Sequence, residues 1–277
     1  MGMLTDDQWT RIEAGIRAVG IRGGKPRADD RQTIEGILWR FANGAKWRSV
    51  PAEFGPWHRV AQRFRRWAVA GVWEKLFEIL KAAGESQLGM VFLDGTVIRA
   101  HQKAAGARRP QEALETAPEL KTRPAMEALG RSKGGFGTKA VGLCDGAGRL
   151  LALELLPGQA YELEAVPALF DALPGVPIWI IGDKGYDAAW FRDAVRALGS
   201  KPAVPSRKNA KVPADCPTWI YNNRNRIERC WSRLKEWRAI ATRYEKTAVS
   251  FRAGILLAAS LDWIKSLTER SSDDDRP

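Results

Sequence analysis

Three carboxylates stand where the chain changes character. Asp94 follows the apolar run Met90-Val91-Phe92-Leu93, Asp183 follows the run Ile178 to Ile181 and Gly182, and Glu228 falls in a stretch with helical periodicity. Short apolar runs that end abruptly at polar residues read as buried strands. The three acids, 89 and 45 residues apart, therefore occupy element ends that a compact sheet can bring together. Around Glu228 the spacing says more. Tyr221, Arg224, Glu228 and Lys235 are three, four and seven residues apart, which places them along one stripe of a helix read from Tyr221 to Trp237. Ile227, Trp231 and Leu234 form an adjacent apolar stripe that docks on the sheet. A carboxylate held on a rigid element between Arg224 and Lys235 suits metal and phosphate binding. Taken singly, each acid also has an ordinary role: Asp94 and Asp183 adjoin glycine-containing turns, and Glu228 pairs with Arg224 one helical turn away.

The elements that must position these residues fall into two groups. From Thr5 to about Ala83 the pattern is helical. Thr5 caps a first helix, Asp30 to Asn43 forms a second, and Trp47 to Phe54 makes a short turn. Gly55-Pro56 opens a third helix with His58, Arg59, Gln62, Arg63, Arg65 and Arg66 beside Val60, Phe64 and Trp67, and a further helix runs from Val72 to Ala83. Helix, short connection and basic amphipathic helix is the order of a helix-turn-helix module, so Arg59, Arg63 and Arg66 are candidate DNA contacts. A dimerisation or scaffold domain has the same pattern. Beyond Glu85, strands are expected at Met90 to Leu93, Thr138 to Cys144, Leu150 to Leu156, Ile178 to Ile181 and Lys201 to Val204. Helices are expected at Glu162 to Ala172, from Asp187 to Leu198, at Tyr221 to Trp237 and at Ala248 to Leu267. Asp145-Gly146-Ala147-Gly148 is hairpin chemistry. The expected organisation is a small all-α, helix-turn-helix-like domain at 1–85, then an α/β domain at 86–270 with a mixed five-stranded sheet and flanking helices. A loop or insertion is expected at 100–137 and a disordered acidic tail at 271–277.

Charge points to a class of partner. The chain carries 44 Lys and Arg against 32 Asp and Glu, a formal charge of +12, and the segment Lys201 to Lys246 alone holds 12 basic and 4 acidic residues. Such clustering is the electrostatic footprint of a nucleic-acid binder, although a solvated basic face looks the same. Three dispersed cysteines and two histidines give no zinc spacing and argue against a disulfide framework. The longest apolar run, Ala253 to Leu261, is too short to cross a membrane, and the first residues lack signal-peptide form, so a cytoplasmic setting is expected. Trp231 could stack an unstacked base but reads more simply as core. His101 could touch DNA or serve an ordinary loop role.

The Tyr221, Arg224, Glu228, Lys235 spacing resembles the Tyr-Arg-Glu-Lys signature of bacterial insertion-sequence DDE transposases. Asp94-Gly95-Thr96 and Gly182-Asp183-Lys184-Gly185-Tyr186-Asp187 are similar to the first and second acidic motifs of that family. Ala128 to Gly135 and Ile240-Ala241-Thr242-Arg243-Tyr244 also resemble it. Leu4 to Trp9 and Gly44-Ala45-Lys46-Trp47-Arg48 look like the N-terminal domain of one branch. The resemblance implies a ribonuclease H-like fold whose first and fourth strands are neighbours, so that Asp94, Asp183 and Glu228 converge as catalytic metal ligands. It implies two Mg2+ ions, with Mn2+ able to substitute, acting in DNA strand cleavage and strand transfer. Arg224 and Lys235 would hold phosphate, with Tyr221 as support and Arg131 and Lys133 as further DNA contacts. The implied partners are double-stranded DNA, as terminal inverted repeats and target, and a second copy of the chain when two ends are held together. The implied place is the bacterial nucleoid. A DNA-binding regulator or a nuclease derived from a transposase, without strand transfer, is the alternative.

Overall fold

The computed structural model describes residues 3–20, 30–105, 127–132, 134–210 and 213–274. Lys133, residues 106–126 of the expected 100–137 loop, and residues 275–277 of the acidic tail lie outside the described residues. The chain divides into two compact units that do not follow chain order. One comprises Met1–Glu85, Arg99–Glu127 and Leu234–Pro277, and the other Ser86–Ile98 and Ala128–Arg233.

The first unit is mainly helical. Helix α1 (Asp6–Val19) starts at a capping box, in which Thr5 Oγ1 accepts from the Gln8 N–H and Gln8 Oε1 accepts from the Thr5 N–H. It ends at Gly20 with φ 65, the left-handed conformation that glycine adopts without a Cβ clash. Helix α2 (Asp30–Asn43) leads through 3-10 turns at Trp47–Ser49 and Ala52–Phe54 to α3 (Trp57–Val69) and α4 (Val72–Ala83). These bounds agree with those expected from periodicity. Much later in the chain, α10 (Ala248–Asp274) packs on α3 and α4 and runs beyond the expected stop at Leu267. A Cβ on Gly254 would lie 2.1 Å from Phe41 Cε1, so glycine is what lets α10 and α2 approach this closely. Ile34, Phe41, Phe64, Trp73, Phe77, Phe251 and Trp263 form the core.

The second unit is built on a mixed sheet. Its strands are β1 (Met90–Ala100), β2 (Gly130–Ser132), β3 (Gly135–Cys144), β4 (Leu150–Pro157), β5 (Trp179–Ile181) and β6 (Lys201–Ala203). The sheet order is β2-β3-β1-β5-β6, with β4 paired to β3; the last two residues of β1, Arg99 and Ala100, belong to the first unit, where they pair in parallel with a two-residue β7 (Thr242–Arg243). The five expected strands are all present, and β2 and β7 are additional. β3 and β4 are antiparallel, joined through the Asp145 turn. There Asp145 accepts from the Ala147 and Arg149 backbone N–H groups and pairs with the Arg149 guanidinium at 2.6 Å. β1, β5 and β6 are parallel, as expected for strands linked by helical crossovers. Those crossovers use α5 (Val166–Asp171) and α6 (Ala189–Ala197).

Four boundaries differ from expectation. β1 does not stop at Asp94 but continues to Ala100, because Gly137 lets β3 pass close to it. A Cβ there would lie 2.8 Å from the Ile98 carbonyl oxygen. The helix expected from Glu162 begins as a 3-10 turn, Glu162–Ala165, and becomes α-helical only at Val166. Asp187 does not cap α6. It pairs with Arg192 at 2.8 Å and accepts from the Arg207 N–H, tying the loop after β6 to the loop after β5. The helix read from Tyr221 to Trp237 is interrupted, with α7 (Thr218–Tyr221) separated from α8 (Asn225–Glu236). Asn222 and Asn223 are poor helix formers, and Asn223 Nδ2 donates to the Trp219 carbonyl. The backbone between the two helices makes tighter i to i−3 bonds, from Asn223 to Ile220, Arg224 to Tyr221 and Arg226 to Asn223. After α8 a short helix α9 (Arg238–Ala241) leads into β7.

Candidate active site

Strand register brings the first two acids together. Phe92 on β1 pairs with Ile181 on β5 in parallel, and Asp94 and Asp183 each lie two residues further on. Both acids thus follow the end of the β1–β5 pairing, near enough for the charge of Asp183 to act on the Asp94 carboxyl. Asp183 turns back on its own chain, where Oδ1 accepts from the Gly185 N–H at 2.7 Å and caps the 3-10 turn Lys184–Tyr186. Glu228 arrives from α8, whose Ile227, Trp231 and Leu234 are buried as the apolar stripe requires. Trp231 is core: a Cβ on Gly142 of β3 would lie 3.1 Å from its Cη2.

Arg224 joins two of the acids. Its Nη2 lies 3.0 Å from Asp94 Oδ1 and its Nη1 lies 2.8 Å from Glu228 Oε1. The sequence anticipated the Glu228 contact as a pairing within one helix. The link across 130 residues to Asp94 depends on the fold.

A fourth carboxylate, Glu162, was missed because its position read as an ordinary acidic residue in the first turn of a helix. A Cβ built on Gly95 would lie 2.5 Å from the Glu162 carboxyl carbon, and the charge of Glu162 acts on the neighbouring Asp94. Glu162 accepts from the Tyr186 hydroxyl at 2.7 Å and lies 3.4 Å from Lys139 Nζ. Tyr161 donates its own hydroxyl to the Gly185 carbonyl, so the segment before α5 is fastened to the Asp183 turn at two points. Nothing in local spacing sets Glu162 apart from Glu164 two residues later.

Electrostatics agree with crowding of negative charge. The Asp94 carboxyl is pushed up to about 6 by burial, against the pull of Arg224 and with further upward pressure from Glu162 and Asp183. Burial, followed by the charge of Glu162, raises the Tyr186 phenol, which keeps it a proton donor to Glu162. Carboxylate oxygens that repel one another in a partly desolvated site are the donor set that hard divalent cations take. Among the described residues, no three His, Cys, Asp or Glu side chains are drawn in as closely as a single ion requires. In this arrangement the guanidinium of Arg224 holds Asp94 and Glu228. The donor chemistry fits a divalent ion, and the side-chain positions are those of a site held by its own arginine.

The other sequence candidates are dispersed. Tyr221 ends α7 and is partly exposed, while Lys235, partly buried on α8, falls within the residues of the first unit. Arg131 is exposed on β2. Arg59 and Arg66 are exposed on α3, but Arg63 pairs with Asp30 at 2.6 Å and lies over the Trp67 ring. Arg63 therefore fastens α3 to the start of α2.

Residues 4–77 match the family profile described as "Putative transposase of IS4/5 family", and residues 85–217 and 180–265 match two profiles described as "Transposase DDE domain". The chain is 39% identical over 107 residues to "Uncharacterized protein y4sN" of Sinorhizobium fredii, covering 38% of this chain and 83% of that protein. It is 30% identical over 135 residues to "Putative transposase for insertion sequence element IS6501" of Brucella ovis, covering 46% of this chain and 98% of the relative. Among solved structures it is similar to the piggyBac transposase in a synaptic complex with hairpin DNA. The TM-score is 0.53 and the identity 11%, over 98% of this chain and 74% of that one. At that identity the likeness speaks to the fold, which is ribonuclease H-like. An acid on β1, a second in the turn after β5, a third on α8 linked to the first through Arg224, and these matches along the chain have one reading: it belongs to the DDE transposase family of bacterial insertion sequences.

Proposed function

We propose that this transposase binds the ends of its element as double-stranded DNA, cleaves a strand to free a 3′-OH and joins that end to target DNA. Asp94, Asp183 and Glu228 are the catalytic carboxylates. The single observation that supports this reading is the parallel register of β1 with β5, beyond which Asp94 and Asp183 each follow by two residues, with Glu228 linked to Asp94 through Arg224.

Asp94, Asp183 and Glu228 would hold Mg2+, or Mn2+ in its place, and the bound ions supply Lewis-acid stabilisation of the attacking and leaving oxygens. The protein's own groups do the rest. β1 carries Asp94, the capped turn after β5 holds Asp183, and the buried face of α8 fixes Glu228. Glu162, held by Tyr186 and Lys139, packs against Gly95 and adds negative charge that acts on Asp94. Arg224 neutralises Asp94 and Glu228 in the absence of substrate and supplies a bidentate donor to a DNA phosphate once these acids are otherwise engaged. Lys235 and Tyr221 are proposed as further phosphate contacts, and Arg59, Arg66, Arg131 and Lys133 as contacts to the duplex. Holding two ends together requires at least two copies of the chain.

The test uses a labelled duplex carrying an element end, with and without Mg2+. Asp94→Asn, Asp183→Asn and Glu228→Gln are expected to lose strand nicking by at least about a thousandfold, the scale of removing a group that acts only in the transition state. Binding to the duplex should persist. Nicking near the wild-type rate in any of the three removes that residue from the assignment.

A further inference from the structure

The first unit contains a cavity of about 720 Å³ that the proposed reaction does not use. Three segments far apart in the chain line it: Arg40 with Gly44 to Trp47, Phe64 with Arg65, and His101 and Lys103 with the stretch Tyr244 to Thr247 and Ser250. Its shape is set by the parallel pairing of Arg99 with Thr242 and Ala100 with Arg243, and by the His101 N–H, which donates to the Arg243 carbonyl at 2.9 Å. That pairing brings the His101 and Tyr244 rings into a stack, with centroids 4.8 Å apart and planes 27° from parallel. His101 is exposed and Tyr244 partly so.

The lining is strongly cationic. Lys46, Arg65, Lys103 and Lys246 are exposed around it, and the only acid among the lining residues, Glu245, is already paired with Arg40 at 2.9 Å. Both members of that pair have side chains only 4% exposed. The buried Arg40 Nε finds no hydrogen-bond partner among the described residues. A buried ion pair with an unsatisfied donor is a poor source of stability, because desolvation offsets most of the attraction. Its effect is to fix the Glu245 loop and cancel the charge of the one acid, which leaves the exposed lysines and Arg65 as the net charge of the cavity. Aromatic faces set among cations match the chemistry of a nucleotide, with phosphate on the cations and base on the rings.

We propose that this cavity is a subsite for one nucleotide of a DNA strand, its phosphate held by Lys46, Lys103 and their neighbours and its base against the His101–Tyr244 stack. The proposal rests on the reading of the chain as a DNA-acting transposase and adds a binding site apart from the three catalytic acids. The two effects separate experimentally, since phosphate contacts release counterions and stacking does not.

The test reads binding by anisotropy in EDTA, so no cleavage occurs. The probe is a fluorescein-labelled single-stranded oligonucleotide, with a second version carrying one 2-aminopurine. His101→Ala is expected to weaken binding about fivefold or more and to reduce the change in 2-aminopurine emission on binding, with the salt dependence unchanged. The double substitution Lys46→Gln and Lys103→Gln is expected to lower the slope of log affinity against log salt by about 1.4, two single-strand phosphates' worth. Arg196→Glu on α6 serves as the control for general charge. Repeating the series on a duplex copied from DNA flanking the coding region and on an unrelated duplex tells an element end from target DNA. The larger loss marks the strand that occupies the cavity. A His101→Ala protein that binds and perturbs 2-aminopurine as wild type does, or a double variant with an unchanged salt slope, overturns the subsite. A chain that shows both shifts yet does not nick DNA keeps the subsite and loses the catalytic assignment.

Discussion

Asp94→Asn offers a measurement that does not depend on activity. In the folded chain the Asp94 carboxyl is pushed up to about 6 from an ordinary 3.8, chiefly by burial and then, against Arg224, by Glu162 and Asp183. For an acid the direction is unfavourable to folding once the group ionises. The folded state binds the proton more tightly than the unfolded chain does, so stability is greatest below the unfolded value and falls as pH rises, levelling off above the folded value. A rise of that size corresponds to a few kcal/mol at most, on the order of half of it lost between pH 5 and pH 8.

Replacing Asp94 with Asn removes the titration while keeping an oxygen that can accept from Arg224. Urea unfolding at pH 5 and pH 8 in EDTA should show wild type losing on the order of 1 kcal/mol more than Asp94→Asn across that interval. Mg2+ at pH 8 should return stability to wild type and much less to the variant, since a ligand stabilises only the state that binds it. Parallel pH profiles for the two proteins would show that crowding of charge at Asp94 is not what the geometry implies. Equal stabilisation by Mg2+ would place the ion elsewhere.

Two other substitutions probe the framework. Gly95→Ala would drive a methyl into the Glu162 carboxylate, displacing it from Tyr186 and Lys139. Nicking of an end duplex should fall by about tenfold or more while the urea midpoint moves little, and unchanged nicking would free Glu162 from any part in shaping the site. Glu245→Gln leaves Arg40 buried without its counter-charge and should cost about 3 kcal/mol in urea unfolding. A change below about 1 kcal/mol would mean the pair is solvated in solution.

Much of the fold was legible in the sequence because local signals and tertiary demands agreed. Thr5 and Gln8 cap α1 as their spacing requires, α2 and α4 begin and end where periodicity puts them, and the Asp145 turn closes the β3–β4 hairpin as its chemistry dictates. The signals failed where long-range packing decides. Nothing near Asp94 says that β1 continues for six more residues, because its partner Gly137 lies more than forty residues on. The same holds for the grouping of Leu234–Pro277 with the N-terminal helices, which depends on Gly254 meeting Phe41 and Gly84 meeting Trp263. At the site, the acids that follow apolar runs were visible, although Asp94 lies inside β1 and not at its end, whereas Glu162 was not, because only the Gly95 approach and the Tyr186 hydroxyl distinguish it from its neighbours.

The break between α7 and α8 explains how one residue can serve two acids. On an unbroken helix the four-residue spacing would direct Arg224 along the surface toward Glu228. The tighter turn at Asn222 and Asn223 takes the Arg224 backbone out of regular α-helix, and its guanidinium then spans Glu228 and, across the sheet, Asp94. The spacing that looks like a helical stripe in the sequence is thus kept for a different reason, since it sets the reach of a side chain standing at the helix entrance. A cation in that place offsets the repulsion that burial imposes on Asp94, and it does so only while no stronger positive charge competes for the same oxygens. The arginine that stabilises the resting arrangement is therefore the group best placed to turn to a phosphate when those oxygens are taken.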